Sequence, residues 1–184
     1  MRKKLAIFLP LIIAGIILAA HSLTVLSLET QGKVLFWKMV RPGNTFRLGY
    51  LHSVAKSDVW DTFQIDSQGR ILLIETRFQG QAYGLPSGPT GQAQWAQEGD
   101  WFRITGIHRV LPSIDWRIQS EWKDRFRFQD EPEVDLSAQA GNGLIHIHVK
   151  KVRLIYWLGF YLRRSILTDW NPKRIDTHGQ GTTP

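Results

Sequence analysis

Thr45-Phe-Arg-Leu-Gly-Tyr-Leu-His-Ser-Val54 and Val59-Trp-Asp-Thr-Phe-Gln-Ile-Asp66 both alternate apolar and polar residues along the chain. A period of two belongs to a β-strand with one face toward a core. The first run puts Phe46, Leu48, Tyr50, His52 and Val54 on one face, and the second puts Val59, Asp61, Phe63 and Ile65 on one face. A four-residue loop over Ala55–Asp58 makes them a hairpin that sets Val54 opposite Val59, His52 opposite Asp61, Tyr50 opposite Phe63 and Leu48 opposite Ile65. A three-residue loop would oppose apolar and polar parities, so the hydrophobic pattern selects the former. After Ser67-Gln68-Gly69, a turn with Gly69 in the left-handed position brings back a third run and opposes Asp61 to Glu75. A row of His52, Asp61 and Glu75 is then expected across three strands of one apolar face. A two-residue turn would instead put Ile74 there and leave Glu75 on the other face.

Outward from this hairpin, short apolar or alternating runs recur at 34–40, 70–78, 101–107, 114–119, 125–129 and 144–149, separated by Gly, Pro, Asp and Ser. No long helical periodicity interrupts them, which predicts an all-β domain, an antiparallel β-sandwich or open barrel. Residues 80–99 hold Gly84, Pro86, Gly88, Pro89 and Gly91 and read as a long loop.

The N-terminus has a different character. Arg2, Lys3 and Lys4 precede Leu5–Leu28, a run of 24 residues with no charged side chain. At about 1.5 Å per residue it reaches roughly 36 Å, enough to cross a hydrocarbon core of about 30 Å. One N-terminal transmembrane helix over residues 5–28 is expected, with the basic flank in the cytoplasm and the rest of the chain in the periplasm or on the outer face of a bacterial inner membrane. Ala20-His21-Ser22 is a passable signal-peptide cleavage site, but Leu23, Val25, Leu26 and Leu28 continue the apolar run past it and favour retention.

The net charge of +7 is confined to the ends of the chain. Residues 29–149 carry 13 bases against 14 acids, whereas residues 150–174 carry seven bases against one acid. A nucleic-acid binder would carry its basic surplus on the folded domain, so that class is excluded. The absence of cysteine excludes disulfides, thiol catalysis and Cys-ligated zinc. The chain thus divides into an anchor (1–28), a β-rich extracytoplasmic domain (29–150) and a basic, aromatic C-terminal segment with a polar tail (151–184). In that last part Leu154–Leu162 is free of charge between clusters of bases, too short to span a bilayer but suited to the membrane interface over residues 150–164.

Leu48-Gly-Tyr-Leu-His-Ser-Val54 with Lys56 and Asp61, then Leu73-Ile-Glu-Thr-Arg-Phe78, then Tyr83-Gly-Leu-Pro86 resemble the bacterial family catalogued as domain of unknown function 1850. The family pattern is a Tyr-Thr-His-Ser-Val stretch followed by Lys-Thr-Pro and an acid, a Glu-x-x-Phe run and a Gly-Ala-Gly-Leu-Pro loop. This chain departs from it at Leu51, at Ser57-Asp58, at Asp61 and at Ala82-Tyr83. The resemblance covers about residues 45–120. It implies an envelope location beside a tripartite ATP-independent periplasmic transporter, and nothing catalytic.

The expected function is therefore a non-enzymatic accessory or binding module, docking to a transporter membrane subunit or its solute-binding protein. The expected binding residues are His52, Ser53, Lys56, Asp61, Glu75, Arg77, Tyr83, Gly84, Leu85 and Pro86, with no cofactor and no metal. An envelope hydrolase or metal-binding protein built on His52, Asp61 and Glu75 is the competing reading. Ser53 follows His52 directly on a strand, so their side chains point to opposite faces and the simplest dyad is removed. His146 and His148 share a strand face, as two metal ligands would, but serve equally as solvent-facing partners of Ile145 and Ile147.

Overall fold

The computed structural model describes residue 15 and residues 21–54, 56–80 and 93–167, of which 160, 161 and 163–167 are described by backbone alone. Eleven strands build two antiparallel sheets among these residues. The smaller has the order β2 (Lys33–Met39), β1 (Ser22–Thr30), β11 (Gly143–Arg153), β8 (Ser113–Ile118). The larger has the order β10 (Val134–Asp135), β9 (Arg125–Phe128), β3 (Thr45–Leu51), β4 (Asp58–Ile65), β5 (Ile71–Gln79), β7 (Trp101–Leu111), β6 (Gln94–Glu98). Helix α1 (Leu136–Ala140) follows β10 and helix α2 (Leu154–Leu167) follows β11.

The sheets share one core, in which Leu26, Leu28, Ile145 and Ile147 of the smaller face Phe46, Leu48, Phe63, Ile65, Ile71 and Phe126 of the larger. Those from β3, β4, β9 and β11 belong to the apolar phase of an alternating strand, as an all-β sandwich requires. Phe46 stacks on Phe63 with ring centroids 5.0 Å apart, and Phe36 meets Phe126 edge-on at 4.8 Å. A second cluster of Val59, Phe78 and Ile104 packs with Trp95 and Phe102 on the same face of the larger sheet. Buried Asp124 is satisfied by Trp116 Nε1–H at 2.9 Å and the Gln119 N–H at 3.0 Å, and burial holds its pKa above the ordinary carboxylate value.

Three expectations require correction. Residues 22–28, assigned to the membrane anchor, form most of β1 in the middle of the smaller sheet. Val25, Leu26, Ser27 and Leu28 are all fully buried, because a central strand is covered on both faces and loses the usual alternation. The smaller sheet thus takes in residues from Ser22 on, and residues 5–14 and 16–20 of the expected span lie outside the described residues. Among the described residues no helix is long and apolar enough to cross a membrane. Second, the loop expected over 80–99 contains a strand, β6, at its C-terminal end. Third, the strand expected over 45–54 stops at Leu51. The C-terminal basic, aromatic segment takes up helix α2.

Candidate functional site

The expected row of His52, Asp61 and Glu75 does not form. In the β3–β4 hairpin Leu48, not His52, stands opposite Asp61, and Tyr50 stands opposite Val59. The connection is a longer turn in which the His52 N–H donates to Ser57 O at 2.8 Å and the Lys56 N–H donates to His52 O at 2.9 Å. Val54, expected on the core face, is 70% exposed, so no apolar contact holds the shorter loop. The partner of Asp61 thus moves four residues along β3, from His52 to Leu48, an even slip that preserves parity and leaves Asp61 on the inner face. His52, Ser53 and Lys56 lie in the turn at the tip of the hairpin.

Glu75 is removed from the row by a β-bulge. Phe63 pairs with Leu73 as expected, but Thr62 then pairs with Glu75 and Asp61 with Thr76. Ile74 is the additional residue, and everything after it on β5 is turned to the other face. Asp61 therefore meets Thr76, whose Oγ1 donates to Asp61 Oδ1 at 2.7 Å. Desolvation pushes the Asp61 carboxyl up to about 6 against the hydrogen bond from Thr76, and desolvation with the Asp61 charge pushes the Tyr50 phenol up to about 12. An inner-face carboxyl of this kind, satisfied by a neighbouring hydroxyl, is a structural element of the sheet.

The chemistry gathers on the opposite, outer face of the larger sheet. Two adjacent cross-strand rows run over it. The first reads Arg127, Arg47, Thr62, Glu75 and Thr105, and the second Arg125, Gly49, Trp60, Arg77 and Arg103. Between them opens a groove of about 360 Å³ lined by Arg47, Trp60, Thr62, Glu75, Arg77, Trp101 and Arg127. The Trp60 ring lies flat over Gly49, where a Cβ would come within 2.6 Å of it. Arg125 sits over the Trp60 ring at 4.6 Å and Arg77 over the Trp101 ring at 5.5 Å.

Most of these arginines have acidic partners. Arg103 binds Glu75 at 2.8 Å and approaches Glu98 at 3.4 Å, which raises its pKa above the ordinary value. Arg77 reaches Glu98 at 3.2 Å, Arg127 reaches Glu133 at 3.1 Å, and Arg125 reaches Asp58 at 2.6 Å. Arg47 has no acidic partner among the described residues, and its direct cross-strand neighbour is Arg127. The Nε–H groups of Arg77 and Arg127 are buried with no acceptor among the described residues. Like charges placed directly opposite on a sheet are destabilising, and planar guanidinium groups bind carboxylate or phosphate through paired hydrogen bonds. The groove is thus fitted for an anionic group, with tryptophan faces for a planar or apolar portion.

Of the expected site residues, Glu75 and Arg77 line this groove. Asp61 faces the core, the His52–Lys56 turn is at the hairpin tip, and Tyr83, Gly84, Leu85 and Pro86 lie outside the described residues. Arg47, Trp60, Thr62, Trp101 and Arg127 were not anticipated. Their signal was the polar phase of the same alternating strands, which by itself reads as an ordinary solvated face. Elsewhere, His146 Nδ1 contacts Asp115 at 2.7 Å and His148 Nε2 lies 3.4 Å from Glu29. No group of three or more His, Asp or Glu suited to a metal occurs among the described residues.

An antiparallel β-sandwich with an arginine- and tryptophan-lined groove on its larger sheet is the class that fold and site define. Residues 46–136 match the family model described as Domain of unknown function (DUF1850), and that stretch of the chain belongs to the family. The match begins in β3 and ends at the first residue of α1, so it takes in every strand of the larger sheet and all seven groove-lining residues. No curated protein and no solved structure matches the chain.

Proposed function

We propose that the protein is a non-enzymatic binding module of the bacterial envelope. It holds a carboxylate- or phosphate-bearing ligand in the outer-face groove and serves a tripartite transporter, or that transporter's solute receptor, as a membrane-tethered accessory. The ligand class rests on one observation: Arg47, without an acidic partner among the described residues, stands directly opposite Arg127 beside the Trp60 ring. An anion between the two guanidinium groups relieves their repulsion and supplies acceptors to donors that lack them. The envelope location rests on the basic leader and the uncharged residues ahead of β1, and the transporter on the family resemblance. The competing hydrolase or metal reading needed the His52, Asp61 and Glu75 cluster, which the register and the bulge take apart.

The test is thermal unfolding of the full chain in detergent with sulfate, phosphate and a panel of small carboxylates, each against sodium chloride at equal ionic strength. A ligand that binds only the folded state raises the transition with the logarithm of its concentration over Kd. At least one anion is expected to do so, and Arg47→Gln is expected to lose most of the effect. If every anion behaves like matched chloride, or Arg47→Gln responds as fully as the parent, the reading falls.

A further inference from the structure

β1 begins and β11 ends side by side. Ser22 pairs with Arg153, and the Leu154 N–H donates to His21 O at 2.8 Å. The chain ahead of β1 and helix α2 therefore leave the sandwich at the same end. The larger sheet contributes its Asp66–Arg70 turn there, because a Cβ on Gly69 would lie 3.7 Å from Thr24 Cγ2 and 4.0 Å from Val149 Cγ1. Val110 borders this turn through its pairing with Leu72, and Met39 pairs with Val25 near the start of β1.

The exposed apolar side chains concentrate at this end. Met39, Val110, Ile155, Tyr156 and Leu162 are all exposed, and among the described large hydrophobics only Val54 is exposed at the opposite tip. On α2, Ile155, Gly159 and Leu162 follow at i, i+4 and i+7 and form one stripe with Tyr156 beside it. The same end carries exposed Arg41, Arg109, Lys151 and Arg153, none with an acidic partner among the described residues. Its acids are fewer: Asp66 is held by Arg70 at 2.7 Å, Glu131 is bound to Lys38, and exposed Asp130 remains.

We propose that this end of the sandwich is a membrane-docking surface, with α2 lying in the headgroup region of an anionic bilayer beside the entry point of the N-terminal segment. Fourteen residues make α2 about 21 Å long, too short to cross a core of about 30 Å and suited to lying along it. Exposed apolar side chains at one pole, flanked by unpaired bases, match the interface of an anionic leaflet, where acyl chains lie behind negative headgroups. The sandwich then stands on the bilayer, and the His52–Ser57 turn lies at its far end, about 30 Å out at roughly 3.3 Å per strand residue. This inference does not depend on what the groove binds.

The full chain lacks cysteine, so single Tyr156→Cys, Val110→Cys and Val54→Cys variants carrying an environment-sensitive fluorophore report three heights. The probe is quenching by spin-labelled lipid after reconstitution into vesicles of phosphatidylglycerol and phosphatidylcholine. Labels at 156 and 110 are expected to be quenched several-fold more than the label at 54. Adding Lys151→Gln and Arg153→Gln is expected to reduce quenching at 156 in anionic vesicles and not in pure phosphatidylcholine. Equal quenching at 156 and 54, quenching at 156 without 110, or indifference to lipid charge overturns the proposal. So does protection of the 156 label that grows with protein density at fixed lipid composition, the signature of a second copy as the occupant.

Discussion

Thr76 and Asp61 face each other across the β4–β5 ladder, joined by a 2.7 Å hydrogen bond on the inner face, while Glu75, one residue earlier, points to the outer face. One additional residue in β5, Ile74, produces both facts. It leaves a carboxyl inside the sheet with a hydroxyl for company and delivers the other carboxyl to the arginines of the groove.

The inner carboxyl gives the fold a pH dependence of definite sign. Desolvation raises Asp61 from 3.8 to about 6 in the folded protein. A raised acid favours the folded state while protonated, so its contribution is complete below about pH 4 and is lost as pH rises through 6. At about 1.4 kcal/mol per unit, the loss is of order 2–3 kcal/mol. Asp61→Asn is expected to abolish this slope, so urea unfolding of parent and variant at pH 4, 5, 6 and 7 should diverge in favour of the variant as pH rises. A constant difference between the two would show that the carboxyl is solvated. Thr76→Val, which removes the donor, is expected to cost about 1–3 kcal/mol, more at pH 7 than at pH 4.

Gly49 is the position where the groove is most easily broken without touching a charge. A Cβ there would lie 2.6–2.7 Å from three atoms of the Trp60 ring, and a ring held between Gly49 of the neighbouring strand β3 and Arg125 has little room to give. Gly49→Ala is expected to destabilise by about 1–3 kcal/mol and to displace the ring. Near-ultraviolet circular dichroism reads the displacement, with Trp60→Phe identifying that ring's share of the signal. An unchanged spectrum together with unchanged stability would mean that the ring does not lie over Gly49.

Glu75 and Arg47 are expected to act in opposite directions on anion affinity. Glu75→Gln removes a carboxylate from the groove wall and frees Arg103 from its 2.8 Å partner, so anions should bind several-fold more tightly. Arg47→Gln should weaken them, while the unliganded protein gains about 0.2–1 kcal/mol at low salt because a like-charge pair is gone. Calorimetric titration with the best anion of the panel reads both. Weaker binding in Glu75→Gln would point instead to a ligand that donates hydrogen bonds to that carboxylate.

The proposed topology rests on the basic leader and the uncharged residues behind it. Alkaline phosphatase fused after Pro184 is expected to be active, and a cytoplasmic reporter at the same place inactive. The reverse pattern would put the domain in the cytoplasm. Mass spectrometry of the purified chain separates a retained N-terminus from one cleaved near Ser22. That measurement matters more now that β1 accounts for the apolar residues 23–28.

Alternation alone determined the fold class and the face of each residue in the paired part of the β3–β4 hairpin, 45–51 and 58–65. Phe46, Leu48, Phe63 and Ile65 point inward and Asp61 points with them, because parity survives an even slip of four residues. The third strand was legible as far as Leu73. Local pattern carried no sign of the bulge at Ile74, since bulges are settled by how a strand meets both neighbours, and β5 is irregular against β4 and β7 alike. The same limit explains β1. An apolar run buried on both faces has the composition of a membrane helix, and only its pairing with β2 and β11 makes it a strand. The groove was least legible of all. Arg47, Trp60, Arg77, Trp101 and Arg127 come from five strands spread over some eighty residues, each an ordinary polar-phase residue in its own run. Register between strands brings them together, and register depends on turn length, bulges and long-range packing that no local window contains.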